Sequence, residues 1–512
     1  MELRPYQEEA IKAVRKEWSE GHKKTLLSLP TGTGKTIVFS AITEMVANKG
    51  NKTLILAHRD ELLDQAADKL KKVSSLTAEK EKAELSTLET DPLVTVGSVQ
   101  SLAREERLHK FDKKRYDVII VDEAHHALSD SYQTVLQYFD SAYVLGVTAT
   151  PDRGDKKQLA DYFDSLAYEY SMRNAIKDGY LCPISAQLIP LQINLTNTKI
   201  SNGDYQCSSL GVTLEPYLDK IADEMVKLCA DRKTVVFLPL IATSQAFCKL
   251  LNDRGMRAAE VNGDSPDRKE TLEAFERGNY NVLCNSMLLT EGWDCPAVDC
   301  VVILRPTKIR SLYQQMVGRG MRLAEGKKDL LLLDFLWLTA KHDLCRPAGL
   351  FAKSKDIEDR MQKNLEKGDK TDLSEAEAAA EIDAREEREK SLAAQLMAQE
   401  GKKRKTVDPM NFALSIADDD LANYEPTFAW EMMFPTDKQL DVLERFGFER
   451  NSIPNKGFAS MLLKRLFDRR EGGFATPKQV LYLKKCGYEN AQDMTFKEAN
   501  AIITERSKGW RR

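Results

Sequence analysis

Two short segments carry residue types that could act together on a phosphate anhydride: residues 25–36, TLLSLPTGTGKT, and residues 116–126, YDVIIVDEAHH. In the first, an apolar run suited to a buried strand leads into a Pro/Gly/Thr turn, and Gly34-Lys35-Thr36 opens a helix. That is the strand, loop and helix order of a phosphate-binding loop, in which the backbone N–H groups of Thr31, Gly32, Thr33 and Gly34 face phosphate oxygens. Lys35 would place a point charge on the outer phosphates, and Thr36 would offer a hydroxyl to Mg²⁺. The metal's water shell also needs a carboxylate at the end of a neighbouring strand, and Asp122 follows the apolar run 118–121. Glu123, one residue on, can polarise an attacking water. The loop has Leu29 where its common form has Gly, so it is the PTGTGKT variant.

These groups need a scaffold that brings strand ends together. Residues 1–185 alternate short apolar runs, at 25–29, 53–57, 93–96, 118–121 and 143–147, with amphipathic stretches. The pattern predicts a parallel sheet with helices on both faces. Each run ends in polar or small residues: PTGTGKT, HRDE, GSVQ, DEAHH and TATPDR. Ligands of such sheets bind outside the carboxyl ends of the strands, so these five segments should share one rim. Residues 186–214 read as an irregular or hairpin connection. Alternation then resumes at 234–238, 258–261, 281–284, 300–304 and 329–333, a second α/β domain without a GKT loop of its own. It must lend residues to the first domain's nucleotide. Arg319 and Arg322, three apart on a predicted helix, would share a face and reach one phosphate tail.

Set in order, these motifs resemble those of superfamily 2 helicases and translocases of the DEAD/DEAH kind. The resemblance is to the branch with restriction-enzyme motors and excision-repair helicases. It runs from Arg4-Pro5-Tyr6-Gln7 to Arg322. It implies two RecA-like lobes, at 1–185 and 186–350, and an ATP-dependent, nucleic-acid-stimulated motor using ATP and Mg²⁺. By the resemblance, Gln7 reads the adenine edge with Arg4 beside it. Arg59, Gly97, Ser98, Gln100 and Thr290 contact the nucleic-acid backbone. Thr148 and Thr150 couple hydrolysis to domain movement, and Gly292 and Asp294 contact ribose or phosphate. Gln315 links nucleotide to strand, and Arg319 and Arg322 complete the catalytic set when the lobes close. Duplex DNA is the expected substrate. An RNA helicase and an ATP-driven switch or scaffold subunit of a larger complex are the alternatives. Two departures stand out: apolar residues 237–241, FLPLI, replace polar ones after a strand, and Trp293, expected to pack inside the domain, stands where a smaller residue is common.

The last third differs in composition. Residues 351–434 read as a charged helical or partly disordered linker, acidic on balance and ending its charged run in Lys402-Lys403-Arg404-Lys405. Residues 435–512 contain an internal repeat in which Thr436-Asp437-Lys438-Gln439 returns as Thr476-Pro477-Lys478-Gln479. Each TxxQ is a capping box and each following Gly, Gly447 and Gly487, suits a helix end, which predicts a small all-α module. It holds 16 Lys and Arg against 10 Asp and Glu, so a nucleic-acid or protein contact is expected there. No apolar run reaches the roughly 18 residues of a membrane span, and the start, MELRPYQEEA, has no signal-like apolar stretch. A cytoplasmic location, or a nuclear one in a eukaryote, is expected. Nine scattered Cys without a CxxC pair argue against a zinc site or a disulfide framework. After residue 350 no acidic cluster with a Lys suggests a nuclease.

Overall fold

The computed structural model describes residues 3–509 apart from 59–66, 69, 73, 75, 84, 150–158, 197, 202, 287–288, 290–292, 339–343, 353–354, 385–408, 417, 419–420, 422–423, 425 and 427–428. The chain divides into two compact units, Met1–Ala380 and Glu381–Arg512.

The first unit is built on two seven-stranded sheets. In the first sheet lie β1 (Lys24–Ser28), β2 (Thr53–Ala57), β3 (Glu79–Glu81), β4 (Val94–Ser98), β5 (Val118–Asp122), β6 (Tyr143–Thr148) and β7 (Ser165–Glu169). They pair in the order β3-β4-β2-β5-β6-β1-β7, all parallel. Helices on both faces bury the central strands, which is why β2 reads as an unbroken apolar run and is buried throughout. The register sets the rim: Ser28 pairs with Thr148, Asp122 with Val147, and Ala57 with Ser98. One strand, β6, therefore separates the phosphate-loop strand from the acidic strand, a gap of about 9–10 Å at two interstrand spacings.

Next come β8 (Ile184–Asn194), the hairpin β9 (Ile200–Ser201) and β10 (Asp204–Tyr205), β11 (Thr234–Phe237), β12 (Ala258–Val261), β13 (Val282–Asn285), β14 (Cys300–Ile303), β15 (Leu330–Leu338) and β16 (Thr371–Asp372). Except for the separate hairpin, these form the second sheet, β12-β13-β11-β14-β15-β8-β16. The hairpin expected around Gly203 is present. The rest of that connection is corrected, because β8 is a full strand pairing along all of β15. Pro190 hides it from a sequence reading, since Pro interrupts a strand pattern, and the register slips between Phe335 and Leu336 opposite that stretch.

The expected linker is corrected at both ends. Lys355–Leu365 is a helix whose Ile357, Met361 and Leu365, four apart, are all buried. β16 follows it and pairs antiparallel with β8, closing that edge of the sheet. Leu373, Ala376 and Ala380 complete this apolar strip in the same core. The composition is charged, but the apolar residues keep helical spacing, and that spacing rather than the charge decides burial. In the second unit, Phe412, Ala413 and Leu421 pack with Leu443, Phe448, Phe458 and Leu462, so the helical module begins well before residue 435. Lys402–Lys405 lies outside the described residues.

Both expected capping boxes of the module are present, at Thr436 with Gln439 and Thr476 with Gln479. Thr495 and Glu498 repeat the arrangement at the last helix. Gly447 ends the first helix at φ +99°, a conformation that favours glycine.

A chain ending at residue 380 is expected to fold as a cooperative unit, whereas one ending at 350 exposes the apolar sites that residues 357–380 cover. Met361→Ala in the full chain is expected to cost about 2–5 kcal/mol in urea unfolding of the first unit. A loss below about 1 kcal/mol would show that this helix is not part of the core.

Candidate active site

The phosphate-loop candidate lies between β1 and the helix Lys35–Ala47, and glycines set its path. Gly32 and Gly34 adopt φ +88° and +82°, where a side chain is strained. Thr33 turns back on Pro30, with its hydroxyl donating to the Pro30 carbonyl at 2.7 Å. The helix Pro5–Ser19 grips the loop from behind: Tyr6 Oη and Gln7 Nε2 both donate to the Thr33 carbonyl, at 2.5 and 3.2 Å. Gln7 Oε1 accepts from Arg4 N at 3.0 Å, so its buried amide is engaged at both ends. In this arrangement Gln7 is a clamp on the loop. Arg4 lies over the Tyr180 ring at 4.8 Å, and Tyr6 stacks on Tyr170 with ring centroids 4.4 Å apart. Neither Tyr170 nor Tyr180 is legible in the sequence as part of this cluster, because both lie in a segment with no phosphate-loop signature.

Across β6, Asp122 closes β5 and Glu123 follows it at φ +54°, a left-handed position uncommon for a non-glycine residue. That turn aims Glu123 at the loop, and Lys35 Nζ donates to its Oε1 at 2.9 Å. Burial alone would lower the pKa of Lys35. The carboxylates of Glu123 and Asp122 outweigh burial and raise it. His125 Nδ1 lies 3.7 Å from the second oxygen of Glu123, and the His126 ring lies 4.2 Å from that of His58. Thr148 is buried at the end of β6, where its carbonyl accepts from Leu29 N at 3.0 Å. Thr36 is half-buried in the first turn of its helix.

The second sheet reaches this loop through the helix Arg310–Gly318. A Cβ built on Gly318 would lie 2.6 Å from Thr31 Cβ, and one on Gly32 would lie 3.5 Å from Arg322 Cγ. The absence of both side chains permits this close approach. The helix stops at Gly318, which corrects the expectation that Arg319 and Arg322 share a helical face. Arg319 caps the helix and Arg322 lies in the loop beyond. A Cβ on Gly320 would come within 2.4 Å of Leu330, so the chain turns where only glycine packs against the sheet. The two guanidinium groups still converge on one segment. Arg319 is buried and donates to the Trp293 carbonyl at 2.5 Å, while Arg322 pairs with the Asp294 carboxylate. Burial lowers the pKa of Arg322, with Asp294 opposing the shift. Gln315 is buried on the same helix. Trp293 is in the core with its ring 5.9 Å from Phe275, which bears out packing as its role.

Of the other expected contacts, Gly97 and Ser98 end β4 and Ser98 Oγ donates to Gln100 Oε1 at 3.1 Å. Gln100 Nε2 donates to the His58 carbonyl at 2.6 Å, which ties the ends of β2 and β4 together. The apolar departure also packs internally: Leu240 Cδ1 would lie 2.3 Å from a Cβ on Gly211. Arg59, Thr150, Thr290 and Gly292 lie outside the described residues.

Two parallel-sheet lobes with a phosphate loop, an acidic strand end and two arginines from the second lobe define the helicase class of nucleotide-binding motor folds. Residues 1–153 match the family described as type III restriction enzyme, res subunit, and residues 218–324 match the helicase conserved C-terminal domain. The chain is 34% identical to the putative ATP-dependent helicase IRC3 of Saccharomyces cerevisiae, over 70% of this chain and 54% of that protein. It is 25% identical to the DNA 3'-5' translocase XPB2 of Sulfurisphaera tokodaii, over 66% of this chain and 82% of that protein. Among solved structures it resembles a fragment of a putative HsdR subunit of a type I restriction enzyme from Vibrio vulnificus. That match has a TM-score of 0.52 and 25% identity, over 65% of this chain and 64% of that one. The chain belongs to superfamily 2 of the helicases, alongside restriction-enzyme motor subunits and XPB-type proteins. It spans about half the length of the yeast relative. Among the described residues no helix is long and apolar enough to cross a membrane.

Tyr6→Phe combined with Gln7→Ala removes both donors to the Thr33 carbonyl. The expected cost is about 1–3 kcal/mol in urea unfolding, the scale for an unsatisfied buried acceptor. An unchanged midpoint would show that the loop is held without this clamp.

Proposed function

We propose that the chain is a nucleic-acid-stimulated ATPase that translocates on or unwinds DNA. The observation that carries this reading is the convergence on one loop of Lys35, the Asp122-Glu123 strand end and the Arg319–Arg322 segment from the second lobe.

The residues present fit a nucleotide triphosphate and its divalent metal. Two left-handed glycines open the loop backbone, and the buried Thr31 hydroxyl has no protein partner among the described residues. Lys35 and the loop N–H groups would hold the phosphates, with Thr36 and Asp122 holding Mg²⁺, whose chemistry is to neutralise charge on the phosphate oxygens. Glu123, now paired with Lys35, accepts a proton from or orients the attacking water once Lys35 turns to the phosphates. Arg319 and Arg322 stabilise the charge that develops on the transferring group, a contribution on the order of 10³–10⁵ in rate for such arginines. Arg4, Gln7 and Asp294 line the nucleoside side, and Gln315 and Thr148 pass closure of the site to the strand-binding rim. That rim includes Gly97, Ser98 and Gln100. DNA is favoured over RNA because the relatives whose names state a nucleic acid name DNA, and others are restriction-enzyme subunits.

ATP hydrolysis measured without nucleic acid and with single-stranded DNA, duplex DNA and RNA tests the reading. Stimulation by DNA is expected, stimulation by RNA alone would move the assignment to an RNA helicase, and none by any of them would favour a switch subunit. Glu123→Gln should retain ATP binding and lose nearly all turnover, whereas Lys35→Ala should weaken both. Binding through phosphates should fall steeply as salt rises, with little sequence preference, and a flat salt dependence would overturn the backbone-grip reading.

A further inference from the structure

Five residues beyond Arg322, Lys327 lies outside every motif that the family resemblance uses. Its ammonium donates to four main-chain carbonyls: Val298 at 2.5 Å, Gly320 at 2.5 Å, Arg322 at 2.8 Å and, more weakly, Pro296 at 3.3 Å. An ammonium has three N–H donors, so the three shorter contacts use them all. The carbonyls belong to two segments. Residues 320 and 322 are in the loop that carries the arginines, and residues 296 and 298 continue the segment whose Trp293 and Asp294 receive Arg319 and Arg322. The connector entering β8 adds two contacts to the same loop, from Cys182 N to the Met321 carbonyl at 2.9 Å and from Cys182 Sγ to the Gly320 carbonyl at 3.5 Å.

We propose that Lys327 is the positioning residue of the arginine pair: its ammonium joins the arginine loop to the 293–298 segment and so fixes both guanidinium groups opposite the phosphate loop. The argument is geometric. The helix ends at Gly318, so no helical hydrogen bond holds Arg322, which lies in the loop beyond. Something must supply the missing rigidity, because charge stabilisation depends on donors that need no reorganisation when the reaction occurs. Three convergent N–H donors on carbonyls from both segments do this without touching nucleotide. Burial lowers the pKa of Lys327, the cost of withdrawing an ammonium from water into this site.

The proposal rests on the ATPase reading, and two readouts separate them. In the full chain, Lys327→Met is expected to lower the DNA-stimulated kcat at least tenfold, with KM for ATP changed less than about twofold; the melting temperature falls as well, because the carbonyls that the ammonium served lose their donor. Lys327→Arg, which keeps the charge in a planar fork, should recover part of the rate. In an Arg322→Ala background the Lys327→Met change should cost little further, because the group that it positions is gone. Independently of activity, amide exchange should quicken in residues 293–298 and 319–323 together, and not in the helix Lys35–Ala47. If Lys327→Met does not fold, Lys327→Gln, which retains two N–H donors, takes its place in every comparison. Full additivity with Arg322→Ala, a matched rise in KM, or unchanged exchange in the two segments would overturn the proposal. A wild-type protein inactive with every nucleic acid would refute the ATPase reading instead, and the exchange result would still decide whether Lys327 joins the segments.

Discussion

The parallel register of β1, β6 and β5 is the constraint on which the candidate site depends. Because the three strands run the same way and their last residues align, Lys35 and Asp122-Glu123 leave the sheet on one rim about two strand spacings apart. That distance is short enough for one turn of loop and one left-handed residue to bridge. Glu123 takes the unfavourable backbone and Lys35 supplies the reach, and both side chains of the resulting ion pair are largely withdrawn from water. A one-residue slip of β6 against either neighbour would turn every side chain of the strand to the opposite face and break the meeting. The apolar burial of the central strands is therefore what aligns the charged groups, since it fixes the register that brings them to one rim.

Close approach between the lobes depends on residues that have no side chain: Gly318 lies on Thr31 and Gly32 lies beneath Arg322, while within the second lobe Gly320 lies on Leu330 and Val301. Any Cβ at these places would meet an atom at 2.4–3.5 Å. Glycine costs conformational entropy wherever it stands, so a run of such positions at one contact is expected only where contact itself matters. The compensation is found nearby, in Arg319 bonded to Trp293, Arg322 paired with Asp294, and Cys182 bonded to Met321.

Much of this could be read from the sequence, for identifiable reasons. Strands buried on both faces give unbroken apolar runs, and their ends are marked by the polar segments that do the chemistry, so β1, β2, β5, β6 and β11 to β14 are legible to within a residue or two, and β15 only in its first half. Capping boxes are local, and those at Thr436 and Thr476 could be read directly. What could not be read depends on tertiary contact. β8 carries a proline at a register irregularity, and β16 is two residues long and exists only because β8 presents an edge. Charge obscured the helical spacing of Ile357, Met361 and Leu365. The helix end at Gly318 lies among tertiary contacts too, Gly318 against Thr31 in the first lobe and Gly320 against Leu330 of the sheet. The grip of Gln7 on the loop is not local either, since it depends on the carbonyl of Thr33 lying within its reach.

The two departures from the family pattern now have a shared physical meaning. Leu240 and Trp293 replace polar or small groups near the rim of the second lobe, and both turn inward, Leu240 onto Gly211 and Trp293 beside Phe275. An apolar side chain that finds a packed site offers nothing to a phosphate. The corresponding rim of the first lobe is polar instead, with Ser98, Gln100 and the His58 carbonyl joined in a short chain of hydrogen bonds. Trp293 also fixes the carbonyl that Arg319 uses, so its burial serves the nucleotide side of the domain rather than the strand side. On the proposed function, the described part of the second lobe thus meets the phosphate loop through its arginines, and Leu240 and Trp293 add nothing to a strand contact there.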